Sequence, residues 1–117
     1  MAKQRELRLT DGRVVCGRGT LADHALSRLR GLLGRDSLPA GEGILLRPAG
    51  SVHTAFMRFP IDVVFLDREL TVTAVVPELR PWRTAARRGA KSVLELPAGE
   101  AARRGLGVGD RLELAAV

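Results

Sequence analysis

His53, Arg58, Asp62 and Glu95 stand out because each places a polar or charged side chain where its neighbours argue for burial. His53-Thr54 continues an apolar strand-like run. Asp62 directly precedes Val63-Val64-Phe65-Leu66, where an acid lowers β propensity. Glu95 is held between Leu94 and Leu96. A buried acid requires a partner, and Arg35 and Arg58 are the natural candidates. If the fold gathers them, His53 with Asp62 or Glu95 is a general acid/base set. One histidine and two carboxylates also make a facial metal-binding arrangement. Two plainer readings compete. Asp62 caps a turn after Pro60 through backbone hydrogen bonds, or Glu95 points to solvent from an edge strand. The candidate ligand-binding set is therefore Arg35, His53, Thr54, Arg58, Asp62 and Glu95, with His53, Asp62 and Glu95 the candidates for catalysis.

The motifs that would specify a reaction do not occur. There is no H-E-x-x-H, C-x-x-C, G-x-S-x-G or P-loop pattern. Gly105, Gly107 and Gly109 imitate a phosphate loop but precede a strand rather than a helix, so tight turns explain them. Cys16 is the single cysteine, which excludes an intramolecular disulfide. Following Val14-Val15, it reads as a small buried hydrophobe. No cofactor and no resident metal is expected.

The formal charge is +6. Seventeen of the 19 basic residues are arginine, and Asn and Tyr are absent. That pattern follows from a GC-rich genome more than from a polyanionic partner. One stretch is locally basic all the same. From Leu79 to Leu94 the chain carries Arg80, Arg83, Arg87, Arg88 and Lys91 with Trp82 among them, and no acid. A solvated basic loop is expected there, with nucleic-acid binding as the alternative. A protein or a small ligand is the expected partner, rather than nucleic acid.

The elements that must position these residues are short. Leu7 and Leu9 alternate with charge, Asp11-Gly12 turns the chain, and Val14 to Cys16 pairs back before Gly17 and Gly19 break the strand. Thr20 to Leu33 is the best helix. Thr20 caps it, Asp23 suits the positive end of its dipole, and Leu21, Ala25, Leu26, Leu29, Leu32 and Leu33 make one stripe. His24 lies off that stripe, and Gly34 stops the helix. Strands are expected at Ile44–Leu46, Val52–Phe56, Val63–Leu66, Val72–Val76 (ended by Pro77), Ser92–Leu96 and Leu112–Ala115. A short helix is expected at Pro97–Arg104. Leu26, Leu29, Leu33, Ile44, Leu46, Val64, Leu66, Val93 and Leu112 form the expected core, and Arg35 is expected to pair with Asp62 or Glu95.

A chain of 117 residues fits one domain. About eight short strands and two helices, with Gly or Pro between nearly all of them, predict an α+β fold. Its sheet is expected to be compact and barrel-like, with mostly antiparallel strands, one main helix and one short one. No apolar run reaches the roughly 20 residues of a membrane span, and Met1 to Thr10 does not read as a secretory signal. A cytoplasmic location is expected.

Four stretches carry a resemblance to a known family. They are Gly31-Leu32-Leu33-Gly34-Arg35, Gly43-Ile44-Leu45-Leu46, Pro60-Ile61-Asp62-Val63-Val64-Phe65-Leu66-Asp67 and Val93-Leu94-Glu95-Leu96-Pro97-Ala98-Gly99. In this order the chain resembles the domain of unknown function 192 family, the uncharacterised conserved ACR family, from about Leu9 to Leu114. Where members often carry an Asn-Thr and a Trp-Met pair, this chain has His53-Thr54 and Phe56-Met57. The resemblance implies one compact β-rich domain and carries no established activity. The expected function is a small non-catalytic binding or accessory domain with a polar site around His53, Arg58, Asp62 and Glu95. A small hydrolase- or lyase-like enzyme using His53 with a carboxylate is the alternative.

Overall fold

A computed structural model describes residues 3–22 and 35–116. Nine strands and one short helix are present among them: β1 (Lys3–Leu9), β2 (Val14–Ala22), β3 (Glu42–Leu46), β4 (Ser51–His53), β5 (Ile61–Leu66), β6 (Val72–Leu79), β7 (Thr84–Ala86), β8 (Ser92–Pro97), α1 (Glu100–Arg103) and β9 (Leu112–Ala115). Seven strands form one sheet in the order β6-β5-β8-β3-β2-β1-β9, while β4 and β7 pair as a separate ribbon.

The first hairpin forms as its alternation predicts, with Leu7 opposite Cys16 and Arg8 opposite Val14. β2 does not stop at Gly17, however. It runs on to Ala22 and pairs in parallel with β3, Leu21 opposite Leu45. Gly19 permits this because a Cβ there would collide with the Leu7 side chain crossing above it. Thr20, Leu21 and Ala22 are therefore strand, not the first turn of a helix. The rest of the expected helix, including His24, Leu26, Leu29 and Leu33, lies outside the described residues.

All other neighbouring pairs in the large sheet are antiparallel. β6 continues through Pro77, where a strand end is expected. It can do so because β6 is an edge strand, and a missing N–H is tolerated there. β7 arises inside the basic stretch expected to be loop. The sheet is mixed and does not close into a barrel. Its two edges meet only at one isolated bridge, Thr71 opposite Arg111.

Side chains alternate between the faces of a strand, so the sheet carries a core on each side. One cluster joins Leu7, Leu45, Val64, Leu66, Leu94, Leu96 and Leu112, with Ala101 of α1 packed among them. The other joins Ile44, Leu46, Ile61, Val63, Phe65 and Val93, covered by Val52 and Ala85 of the ribbon and by Leu38 and Met57. The expected core residues among those described are all buried, but they divide between these two clusters.

Candidate functional site

The polar residues singled out by the sequence do not converge. Asp62 is fully buried on β5, opposite Leu96 of β8. Its Oδ1 accepts the backbone N–H groups of Glu78 (2.9 Å) and Gly99 (3.1 Å), and its Oδ2 accepts that of Ala101 (2.9 Å). Gly99, at a φ of 86°, is the cap of α1 and supplies no side chain. Asp62 therefore caps the helix from across the fold, answering N–H groups that a helix start leaves unpaired. It also fixes Glu78, whose φ of 51° is left-handed. The Pro60–Asp67 and Val93–Gly99 motifs are joined by this one carboxylate.

Glu95 faces the other way. Its cross-strand neighbours are Ile44 and Val63, both apolar members of the second cluster. It is buried, and no hydrogen bond or ion pair reaches its carboxyl among the described residues. Desolvation pushes its pKa from 4.5 up to about 7. Adjacent in the sheet, Asp62 and Glu95 thus project from opposite faces.

His53 is not a core residue. It is exposed on the outer face of the ribbon, opposite Thr84. Arg35 pairs with Glu42 (3.4 Å), not with Asp62 or Glu95, and Arg58 pairs with the exposed Asp36 (2.9 Å). Among the described residues no three metal-ligating side chains gather. Cys16 is buried, donates its thiol to the Gly41 carbonyl (3.4 Å), and has its pKa pushed up to about 11 by desolvation.

One buried acid escaped the sequence reading. Glu100 is fully buried yet pairs with Arg103 (2.7 Å) and Arg104 (3.2 Å), and it accepts the Gly41 N–H (3.3 Å). The i,i+3 and i,i+4 spacing of acid and arginines was the available signal. Its role is to bind the turn before β3 to α1.

What the structure does assemble is a surface at the His53 end of the ribbon. Thr54 is fully buried and anchors two loops. Its hydroxyl donates to the Arg80 carbonyl (2.6 Å) and accepts the Arg83 N–H (2.8 Å). Its backbone N–H donates to the Arg83 carbonyl (2.8 Å), and its own carbonyl accepts the N–H groups of Met57 (3.1 Å) and Trp82 (3.0 Å). These bonds hold Phe56 at a φ of 66° and Trp82 at 63°, a left-handed backbone uncommon for bulky residues. Both rings are turned outward, 70% and 59% exposed, with centroids 4.6 Å apart and planes inclined by 59°. Arg80 and Arg83 are exposed beside them. Phe56 was not among the expected site residues, because sequence does not reveal which aromatic stays outside. Arg87, Arg88 and Lys91 are exposed beyond the opposite end of the ribbon, with the Arg87 guanidinium 5.5 Å from the centre of the buried Phe65 ring.

Known proteins match this chain over almost its whole length. Among curated relatives, a UPF0127 protein of Pyrococcus abyssi is 36% identical over 103 residues, 83% of this chain and 86% of that one. A second, from Pyrococcus furiosus, is 35% identical over 113 residues, covering 92% and 95%. Among solved structures, a candidate transcription regulator from Sinorhizobium meliloti superposes with a TM-score of 0.85 at 25% identity, covering 97% of this chain and 95% of that one. A protein of unknown function from Novosphingobium aromaticivorans shares the fold with a TM-score of 0.77 at 24% identity, covering 96% and 84%. The family described as uncharacterised ACR, domain of unknown function 192, matches residues 9–114, and the chain belongs to it.

Proposed function

We propose that this protein is a non-catalytic binding module whose partner docks on the Phe56–Trp82 surface. The observation that carries this reading is the exposed aromatic pair on a rigid base. The chain has only four aromatic residues, and two of them touch each other in solvent instead of filling a core. Exposed apolar surface held at a backbone cost marks an interaction site. Of the polar residues expected to form the site, His53 and Arg58 border this surface. Thr54 supports it from below, and Asp62 fixes Glu78, just before the second loop. The enzyme alternative has weaker support, because His53 has no carboxylate oriented against it among the described residues and Asp62 already accepts three N–H groups.

Trp82 is the only tryptophan, so its emission reports on the site directly. Titration with a panel of mononucleotides, oligonucleotides, oligosaccharides and acidic peptides is expected to give a saturable change with at least one class. Phe56→Gly should weaken that change while leaving thermal unfolding cooperative. A panel without effect on Trp82, together with a hydrolytic activity lost in His53→Ala, overturns the module in favour of an enzyme. The Sinorhizobium relative's description as a candidate transcription regulator supports a second reading in which the partner is nucleic acid.

A further inference from the structure

We infer that the occupant of this surface is a single strand of nucleic acid, its bases stacked on Phe56 and Trp82 and its phosphates tracked by the arginines along the β4–β7 ribbon. The inference rests on the binding-module reading and adds the ligand class.

Three observations lead to it. The two rings are 70% and 59% exposed and meet at 4.6 Å, forming an apolar platform open to solvent, which suits splayed bases and not the closed stack of a duplex. Within the second loop the charge has one sign: Arg80 and Arg83 are exposed, and no acid occurs between Leu79 and Leu94, although the exposed Glu78 stands just before it. Arg58 contributes less, because Asp36 already neutralises it. The basic residues also continue in one direction. β7 is three residues long, so the four residue steps from Arg83 to Arg87 span about 13 Å along the ribbon. Arg87, Arg88 and Lys91 then extend the positive track past the ribbon's far end. The ribbon's outer face between them carries only Ser51, His53, Thr84 and Ala86. These are small or neutral-capable side chains over which a backbone can pass. Aromatic platforms alternating with cations are the general means of holding single strands without reading sequence. The high arginine content of the chain accounts for the net charge but not for an acid-free run beside two exposed aromatics, which favours nucleic acid over a protein or small-molecule partner.

The test is titration of the protein with oligothymidylate and oligouridylate of about 12 nucleotides, a length within the usual single-strand footprint. Trp82 emission should be quenched by both. The logarithm of affinity should fall with the logarithm of salt with a slope of about −3.5 for five basic contacts. Phe56→Gly and Trp82→Gly both keep a backbone suited to positive φ, and each should weaken binding of a labelled strand by about ten- to a hundredfold. Arg80→Ala with Arg83→Ala should flatten the salt slope. Circular dichroism melting establishes that each variant remains folded. Equal binding by folded Phe56→Gly and Trp82→Gly overturns the proposal. So does quenching by phosphatidylglycerol vesicles but not by either oligonucleotide, which assigns the surface to lipid. Response to another panel class alone removes the nucleic-acid occupant and leaves the module reading intact. A silent Trp82 throughout removes both.

Discussion

Asp62 and Glu95 are two buried acids on neighbouring strands with opposite chemical situations. Asp62 meets three backbone donors, and Asp62→Asn replaces acceptor capacity with an N–H₂ that faces them. Its loss should cost about 2–4 kcal/mol, measured by urea unfolding, with faster hydrogen exchange at Ala101. Glu95 meets no donor among the described residues, and its pKa rises from 4.5 to about 7. Because the folded state holds this proton more tightly, the stabilisation is complete below pH 4.5. It is lost as pH rises towards 7, amounting to about 3 kcal/mol. Glu95→Gln should abolish that fall and leave the variant more stable than wild type at pH 8. Unfolding free energies measured across this pH range in both proteins check the sign.

At the scale of elements, Thr54 couples the end of β4 to the loop before β7. Thr54→Val keeps the shape but strands the Arg80 carbonyl and the Arg83 N–H. It should cost about 1–3 kcal/mol and raise the mobility of Trp82, seen as loss of emission anisotropy. Thr54→Ser should restore both. Elements bounded by plain turn chemistry were readable from sequence, as at Asp67, whose Oδ1 accepts the N–H groups of Glu69 and Thr71 and closes the β5–β6 turn. Elements decided by tertiary neighbours were not. Gly19 within β2, Pro77 within β6 and β7 among arginines each contradict local propensity, and each is resolved by a crossing side chain, an edge position or a ribbon partner. The candidate site followed the same division. The oddness of Asp62 and Glu95 was visible in their flanks, but the face each occupies depends on cross-strand register. The outward turn of Phe56 depends on the Thr54 carbonyl two residues away, which accepts the Met57 N–H, and that of Trp82 on the same carbonyl, distant from it in sequence.

For the whole molecule, the decisive property is that one sheet separates two cores. Leu94 belongs to one and Phe65 to the other, both fully buried. Leu94→Ala should cost about 2–5 kcal/mol and Phe65→Ala about 3–5 kcal/mol. Since both cores hang on the same strands, far- and near-ultraviolet dichroism should report one coincident transition in each variant. The double variant should deviate from additivity through the shared β5–β8 pairing.

The pairing of β1 with β9 has a further consequence, for the order of events during synthesis. Glu6 lies opposite Ala115 and Leu9 opposite Leu112, so β1 waits for a partner strand made about a hundred residues later. Until residue 115 leaves the ribosome, β1 is an open edge and Leu7 and Leu9 lack part of their cover. Contacts that close over so long a sequence separation are slow to form, and an unpaired edge is a template for association with other chains. Nascent chains arrested before Leu112 should therefore capture one another or a holding chaperone, and chains extended past Ala115 should release them.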